Sequence, residues 1–140
     1  MKTIDNSHNY DYNISMRRKV LLVVISLLAL LSGCLIYIVY NPKSYITDFA
    51  MSFSIIRYIE FILPKFDSLF LQNHFADCMW SLSLCCILQT ITTKKKLSFA
   101  LSVTVGVIWE FLQFTHITNG TGDIVDIFMY TTASFVAVFI

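Results

Sequence analysis

Charge is what this chain has least of. Only 14% of its 140 residues are Asp, Glu, Lys or Arg, where a soluble domain carries roughly 25%. With 56% hydrophobic residues, that deficit excludes an ordinary soluble globule and indicates one integral membrane domain. The few charges nearly cancel, at net +1, and no basic stripe interleaved with aromatics appears, so nothing suits the chain to nucleic acid. Metal-ligand spacing is missing from the four cysteines, Cys34, Cys78, Cys85 and Cys86, which all fall inside or beside apolar runs. They read as free, buried, small hydrophobes. No nucleophile elbow, zinc-binding helix, phosphate-cradling glycine loop or radical motif occurs, and no cofactor is indicated.

Long apolar runs dominate what remains. Residues 1–16 are polar without periodicity and predict a disordered tail. After Arg17, Arg18 and Lys19, the run Val20–Pro42 carries no charge for 23 residues, enough for a spanning helix. A rival reading takes Leu31-Ser32-Gly33-Cys34 as a lipoprotein cleavage box with Cys34 lipidated, although the apolar run continues past it to Tyr40. Three further spans are expected over about 75–93, 97–117 and 123–140, the last two joined by the turn Thr118-Asn119-Gly120-Thr121-Gly122. Between the first two spans, Ile46, Phe49, Ala50, Phe53 and Ile56 recur at helical spacing, with charges on other faces. That predicts an amphipathic interfacial segment over about 45–63. The expected architecture is all-α: a four-transmembrane-helix bundle over 17–140. The basic clusters Arg17–Lys19 and Lys94–Lys96 put both termini in the cytoplasm.

Acidic residues interrupt three of these runs at one depth. At about 1.5 Å per residue, Glu110 and Gln113 lie roughly 21 and 25 Å from Lys96, and Asp77 roughly 25 Å from Lys94. By the same rise, Asp126 and Asp123 lie roughly 21 and 25 Å from Ile140. Each helix gathers its polar residues on one stripe: His74, Asp77 and Ser81; Ser102, Gly106, Glu110 and Gln113; Asp123, Asp126 and Tyr130. Carboxylates in hydrocarbon are costly and turn toward a bundle interior, so the stripes are expected to meet, with Gly106 permitting close approach. Structural roles stand beside the functional ones. Asp123 suits a helix N-cap, Asp126 the adjoining helix dipole, and Asp77 an interfacial cap. A structural Glu110 needs a partner such as Gln113 or Tyr130. His74 and His116 suit the water boundary, and Trp80 and Trp109 read as interfacial or packing aromatics. Crowded carboxylates would retain protons or bind a cation, a divalent ion at Asp77, Glu110 and Asp126 being one such arrangement.

Glu110-Phe111-Leu112-Gln113, followed by Gly120-Thr121-Gly122-Asp123-Ile124-Val125-Asp126, resembles the VanZ-like family of small bacterial membrane proteins, named for a teicoplanin-resistance protein. The likeness covers 74–140, with His74 or Asp77 matching the polar opening of the family's preceding span. An Arg of the family's outer turn is replaced here by the glycine-threonine turn. The resemblance implies a multi-pass protein of the bacterial cell membrane, linked in some members to glycopeptide resistance.

The functional expectation is an outward-facing acidic pocket for a lipid-linked or cell-wall-related ligand. Glu110 and Asp126 would be central, Asp77, Gln113 and Asp123 around them, and His74, Tyr130 and Ser81 in support. Two other readings stay open. A small transport or proton-relay subunit would need a polar path to the cytoplasmic side, where the third span offers little beyond Ser102 and Ser98 and the second little beyond Gln89 and Thr90. A structural partner of a membrane complex would use its acids only to hold helices together. A protonated Glu110 beside an ionised Asp126 is an acid/base pair in principle, and whether the pocket turns over its ligand stays open beside binding without catalysis.

Overall fold

The uncharged run after Arg17–Lys19 sets the longest element. In the computed structural model, which describes residues 5–40, 52, 68–92, 94–118 and 122–140, helix α1 spans Asp5–Tyr40. It begins inside the stretch expected to be a disordered tail. An established helix adds one hydrogen bond per residue at little further cost, so the apolar run propagates backward into polar sequence. The expected amphipathic segment over about 45–63 lies outside the described residues, apart from Ser52.

A short helix, α2, Leu69–Asn73, is capped by Ser68, whose side chain accepts from the Leu71 amide. His74 alone separates it from α3, Phe75–Thr92. Helix α4 spans Lys95–Phe114 and α5 spans Ile124–Phe139. Every regular element among the described residues is a helix. Three of them, over Ser15–Tyr40, Phe75–Thr92 and Lys95–Phe114, are long and apolar enough to cross a bilayer. With 16 residues, α5 is roughly 24 Å long, short of a hydrocarbon layer about 30 Å thick.

The end of α4 comes earlier than the apolar run suggests. The Ile117 amide donates to Leu112 O at 3.0 Å and the His116 amide to Gln113 O at 2.9 Å, a Schellman closure that satisfies the last carbonyls. His116 occupies the left-handed position, with φ of 58°, where glycine is usual.

Helix α3 sits at the centre and packs against α1, α4 and α5. Arg18 Nη2 donates to Gln89 Oε1 at 3.1 Å, Ser26 Oγ to Ser83 O at 3.0 Å, and Tyr37 stacks by Trp80 at 5.7 Å. These contacts run in opposite order along the two chains, so α1 is antiparallel to α3. Gln89 Nε2 donates to Ala137 O at 2.7 Å, and His74 pairs with Asp126 at the other end, so α3 and α5 are parallel. Helix α4 returns between them, with Lys95 Nζ donating to Val138 O. One end of the bundle therefore gathers Arg18 and Lys95, and the other gathers the acids.

The bundle is inverted relative to a water-soluble one. The buried residues of α4 are Ser98, Ser102, Gly106 and Glu110, one every fourth residue. Leu97, Leu101, Val105, Ile108, Phe111 and Phe114 are exposed. Lipid tails are as apolar as leucine, so helices in a bilayer associate through small residues, close packing and interhelical hydrogen bonds. Ser81 Oγ meets Ser134 Oγ at 2.8 Å and Ser102 Oγ at 3.3 Å, and Ser134 Oγ donates to Ser102 Oγ at 2.9 Å. One hydroxyl from each of α3, α4 and α5 thus joins the three helices at mid-depth.

Candidate functional site

Above that serine node, the polar stripes of α3, α4 and α5 do meet. Gly106 lets them. A Cβ there would lie 2.5 Å from Tyr130 Cδ2 and 2.6 Å from Cγ, so only a glycine admits the Tyr130 ring against α4. The ring then carries its hydroxyl between two carboxyl groups: 2.8 Å from Glu110 Oε1 and 3.1 Å from Asp77 Oδ1. Glu110 is 4% exposed and Asp126 8%, which takes both away from the lipid-facing surface.

Both Glu110 oxygens are engaged. Oε1 accepts from Tyr130 and Oε2 from the Asp123 amide at 2.8 Å. Gly122 makes the second contact possible, since a Cβ there would lie 2.8 Å from Glu110 O and from Phe114 N. Asp123 in turn caps α5, its Oδ1 accepting from the Val125 amide at 2.9 Å. Glu110 is therefore a positioning residue. It anchors the start of α5 and the phenol at once, and Tyr130 is the partner that a structural Glu110 requires.

The second acidic group lies at the mouth. His74 Nδ1 and Asp126 Oδ1 are 2.6 Å apart. Ligand atoms of His74, Asp123 and Asp126 all lie within 4.8 Å of one another. The convergent trio is thus not the Asp77, Glu110 and Asp126 set suggested for a divalent ion, because Asp77 and Glu110 turn toward Tyr130. Gln113 lies half-buried at the edge, and no hydrogen bond joins its side chain to the network among the described residues. Ser81 sits deeper, donating to Tyr130 O at 2.9 Å. It supports the phenol-bearing turn of α5 through the backbone.

Donors and acceptors do not balance here. A phenol has one hydrogen, yet Tyr130 faces two carboxyl oxygens. Among the described residues, no protein donor reaches Asp77 Oδ2, Asp123 Oδ2 or Asp126 Oδ2, and no Lys or Arg pairs with any of the four acids. None of these oxygens is a buried atom without a partner, so each is open to water, and equally to a proton, an ammonium group or a metal ion.

A crevice of about 330 Å³ opens directly beneath the phenol. Its walls include Leu30, Trp80, Leu84, Val105, Trp109 and Tyr130. Tyr130 belongs to both features, its ring to the crevice and its hydroxyl to the acids. Trp80 of α3 and Trp109 of α4, which the sequence offers as interfacial or packing aromatics, both line it. Ser134 was also hidden, although it extends the Asp126–Tyr130 stripe of α5 by one turn. No family model matches the chain, nor does any curated protein or solved structure.

Proposed function

We propose that the chain is a four-span protein of a cell membrane that binds an amphiphilic ligand, lipid-linked or cell-wall-related, at the acid-bearing end of the bundle. The observation that carries this reading is the continuity, through Tyr130, between a buried carboxyl network and an apolar crevice. A polar head would meet Asp126, Asp77 and Asp123, with His74 against Asp126, while Glu110 and Tyr130 hold those groups in place. Hydrocarbon would enter beside Trp80 and Trp109. Binding sites of this kind are concave and mostly apolar, with a few convergent polar groups.

In this reading α5, extended by Asp123 and Ile140, is the fourth span. The basic clusters face the cytoplasm and the acids open outward. The likeness of 110–126 to VanZ-like sequences fits an envelope role, and a link to glycopeptide resistance is part of the same proposal. The proposal is of a binding site and assigns no reaction to it.

The test is co-purification. The full chain and its Asp126→Asn and Tyr130→Phe variants are extracted in mild detergent, and bound lipids are measured by mass spectrometry. A bound amphiphile retained by the unmodified protein, and depleted in both variants at normal abundance, is the expected result. Equal lipid content in all three defeats the proposal.

The relay reading draws support from one observation, a buried polar column toward the basic end. It comprises Ser81, Ser102, Ser134 and Gln89, then Thr92 Oγ1 at 2.7 Å from Ser98 Oγ. Against it, among the described residues the Tyr130 hydroxyl bonds only to Asp77 and Glu110, away from that column, and Thr90 bonds back to its own helix at Ile87 O. Proton flux through liposomes containing the chain, lost on Ser102→Ala, would favour it.

A further inference from the structure

The polar head invoked above has a chemistry that the site itself specifies. We infer that it is a primary ammonium group, and that the ligand is a membrane lipid bearing one, its chain lying in the crevice lined by Trp80 and Trp109. This inference rests on the binding site proposed above.

Three features point the same way. The first is charge. Asp123 and Asp126 converge beside His74, with Asp77 and Glu110 held against Tyr130 behind them and no Lys or Arg paired with any of the four among the described residues, a field that attracts a positive head and repels a bare phosphate. The second is hydrogen-bonding capacity. An ammonium offers three N–H donors and no acceptor, and three carboxyl oxygens, on Asp77, Asp123 and Asp126, lack a protein donor among the described residues. Carboxyl oxygens of Asp123 and Asp126 less than 4.8 Å apart lie within reach of one nitrogen, at about 2.8 Å from each. A quaternary ammonium carries the charge but no N–H, so it forfeits these bonds.

The third feature is the crevice. It is lined mostly by apolar side chains and runs between Trp109 and Ser102, roughly 10 Å along α4. Its rim residues Leu30, Val105 and Trp109 are exposed on the outer surface of the bundle. At that depth the surroundings are hydrocarbon, and a lipid chain is the occupant that replaces lost packing without stranding a polar group.

Trp80 and Trp109 are the two tryptophans of the chain, and both wall the crevice, so native fluorescence reads its occupancy. The full chain is reconstituted in phosphatidylcholine bilayers. Lipids with brominated chains are then titrated in, carrying ethanolamine, choline or glycerol heads on phosphate. Bromine quenches an indole only on contact. The expected result is saturable quenching by the ethanolamine lipid at roughly ten-fold lower mole fraction than by the other two, the effect of about one charge-assisted hydrogen bond. Asp126→Asn and Asp77→Asn should each erase that preference, while the lipid series on the unmodified chain decides the matter should either variant fail to fold. Saturable quenching that ignores the head group overturns the ammonium assignment and leaves the lipid site standing. Preference for the glycerol head, appearing only with added Mg²⁺, overturns it in favour of a metal-bridged phosphate. No saturable quenching by any lipid removes both the ammonium assignment and the binding site beneath it.

Discussion

Replacing Gly106 with Ala adds one methyl group at the point where α4 and α5 come closest. The new Cβ would sit 2.5 Å from Tyr130 Cδ2 and 2.6 Å from Cγ, against the roughly 3.5–4.0 Å at which carbon atoms rest. The phenol ring is stiff, and its own Cβ would be only 3.1 Å away, so a rotamer change cannot absorb the overlap. Either the ring moves by about 1 Å, or α5 separates from α4. A shift of that size lengthens the 2.8 Å bond to Glu110 to well beyond hydrogen-bonding range. Two losses then add: about 1–3 kcal/mol for overpacking, and about 1–3 kcal/mol for buried carboxyl groups deprived of their donor. Tyr130→Phe incurs only the second. Reversible unfolding in mixed micelles, followed by circular dichroism, measures both. Gly106→Ala should be the more damaging by about 1–3 kcal/mol, and in a Tyr130→Ala background, where no ring remains to clash, Gly106→Ala should cost almost nothing further. If Gly106→Ala costs no more than Tyr130→Phe, the ring does not lie against α4 and the derived network is wrong.

Other substitutions test separate parts of the bundle. Ser81→Ala removes the hydroxyl that meets Ser102 and Ser134 and donates to Tyr130 O, and should lower stability by about 0.6–1.7 kcal/mol in the same unfolding assay. Gly122→Ala should detach the Asp123 amide from Glu110, because the new Cβ meets backbone at 2.8 Å; faster hydrogen exchange at the start of α5 is the readout. His116→Gly should raise stability by about 1 kcal/mol, relieving a left-handed conformation at φ 58° that costs a side-chain-bearing residue about that much. An unchanged melting temperature would count against the Schellman closure.

Much of the fold is legible from composition and spacing. Hydrocarbon admits only backbones whose hydrogen bonds are satisfied internally, so apolar runs of span length, set off by basic clusters, announce α1, α3 and α4. Helical periodicity likewise put His74 with Asp77, Ser102 with Glu110, and Asp126 with Tyr130. Lengths were less legible. The 1–16 segment lacks apolar periodicity, yet α1 runs back to Asp5. The end of α4 was set by hydrogen bonds at His116 rather than by where hydrophobicity fades.

Local sequence therefore determined where the long apolar helices lie, though not their ends, and that the acids of three helices occupy one level, because rise per residue and the cost of charge in hydrocarbon are properties of the chain alone. Partner choice was decided only in three dimensions. That Glu110 holds Tyr130 and the Asp123 amide, that His74 rather than Asp77 joins Asp126, and that two unremarkable tryptophans line a crevice all depend on the rotation of each helix about its axis. Close packing at Gly106 and Gly122 sets that rotation, through distances between atoms far apart in sequence.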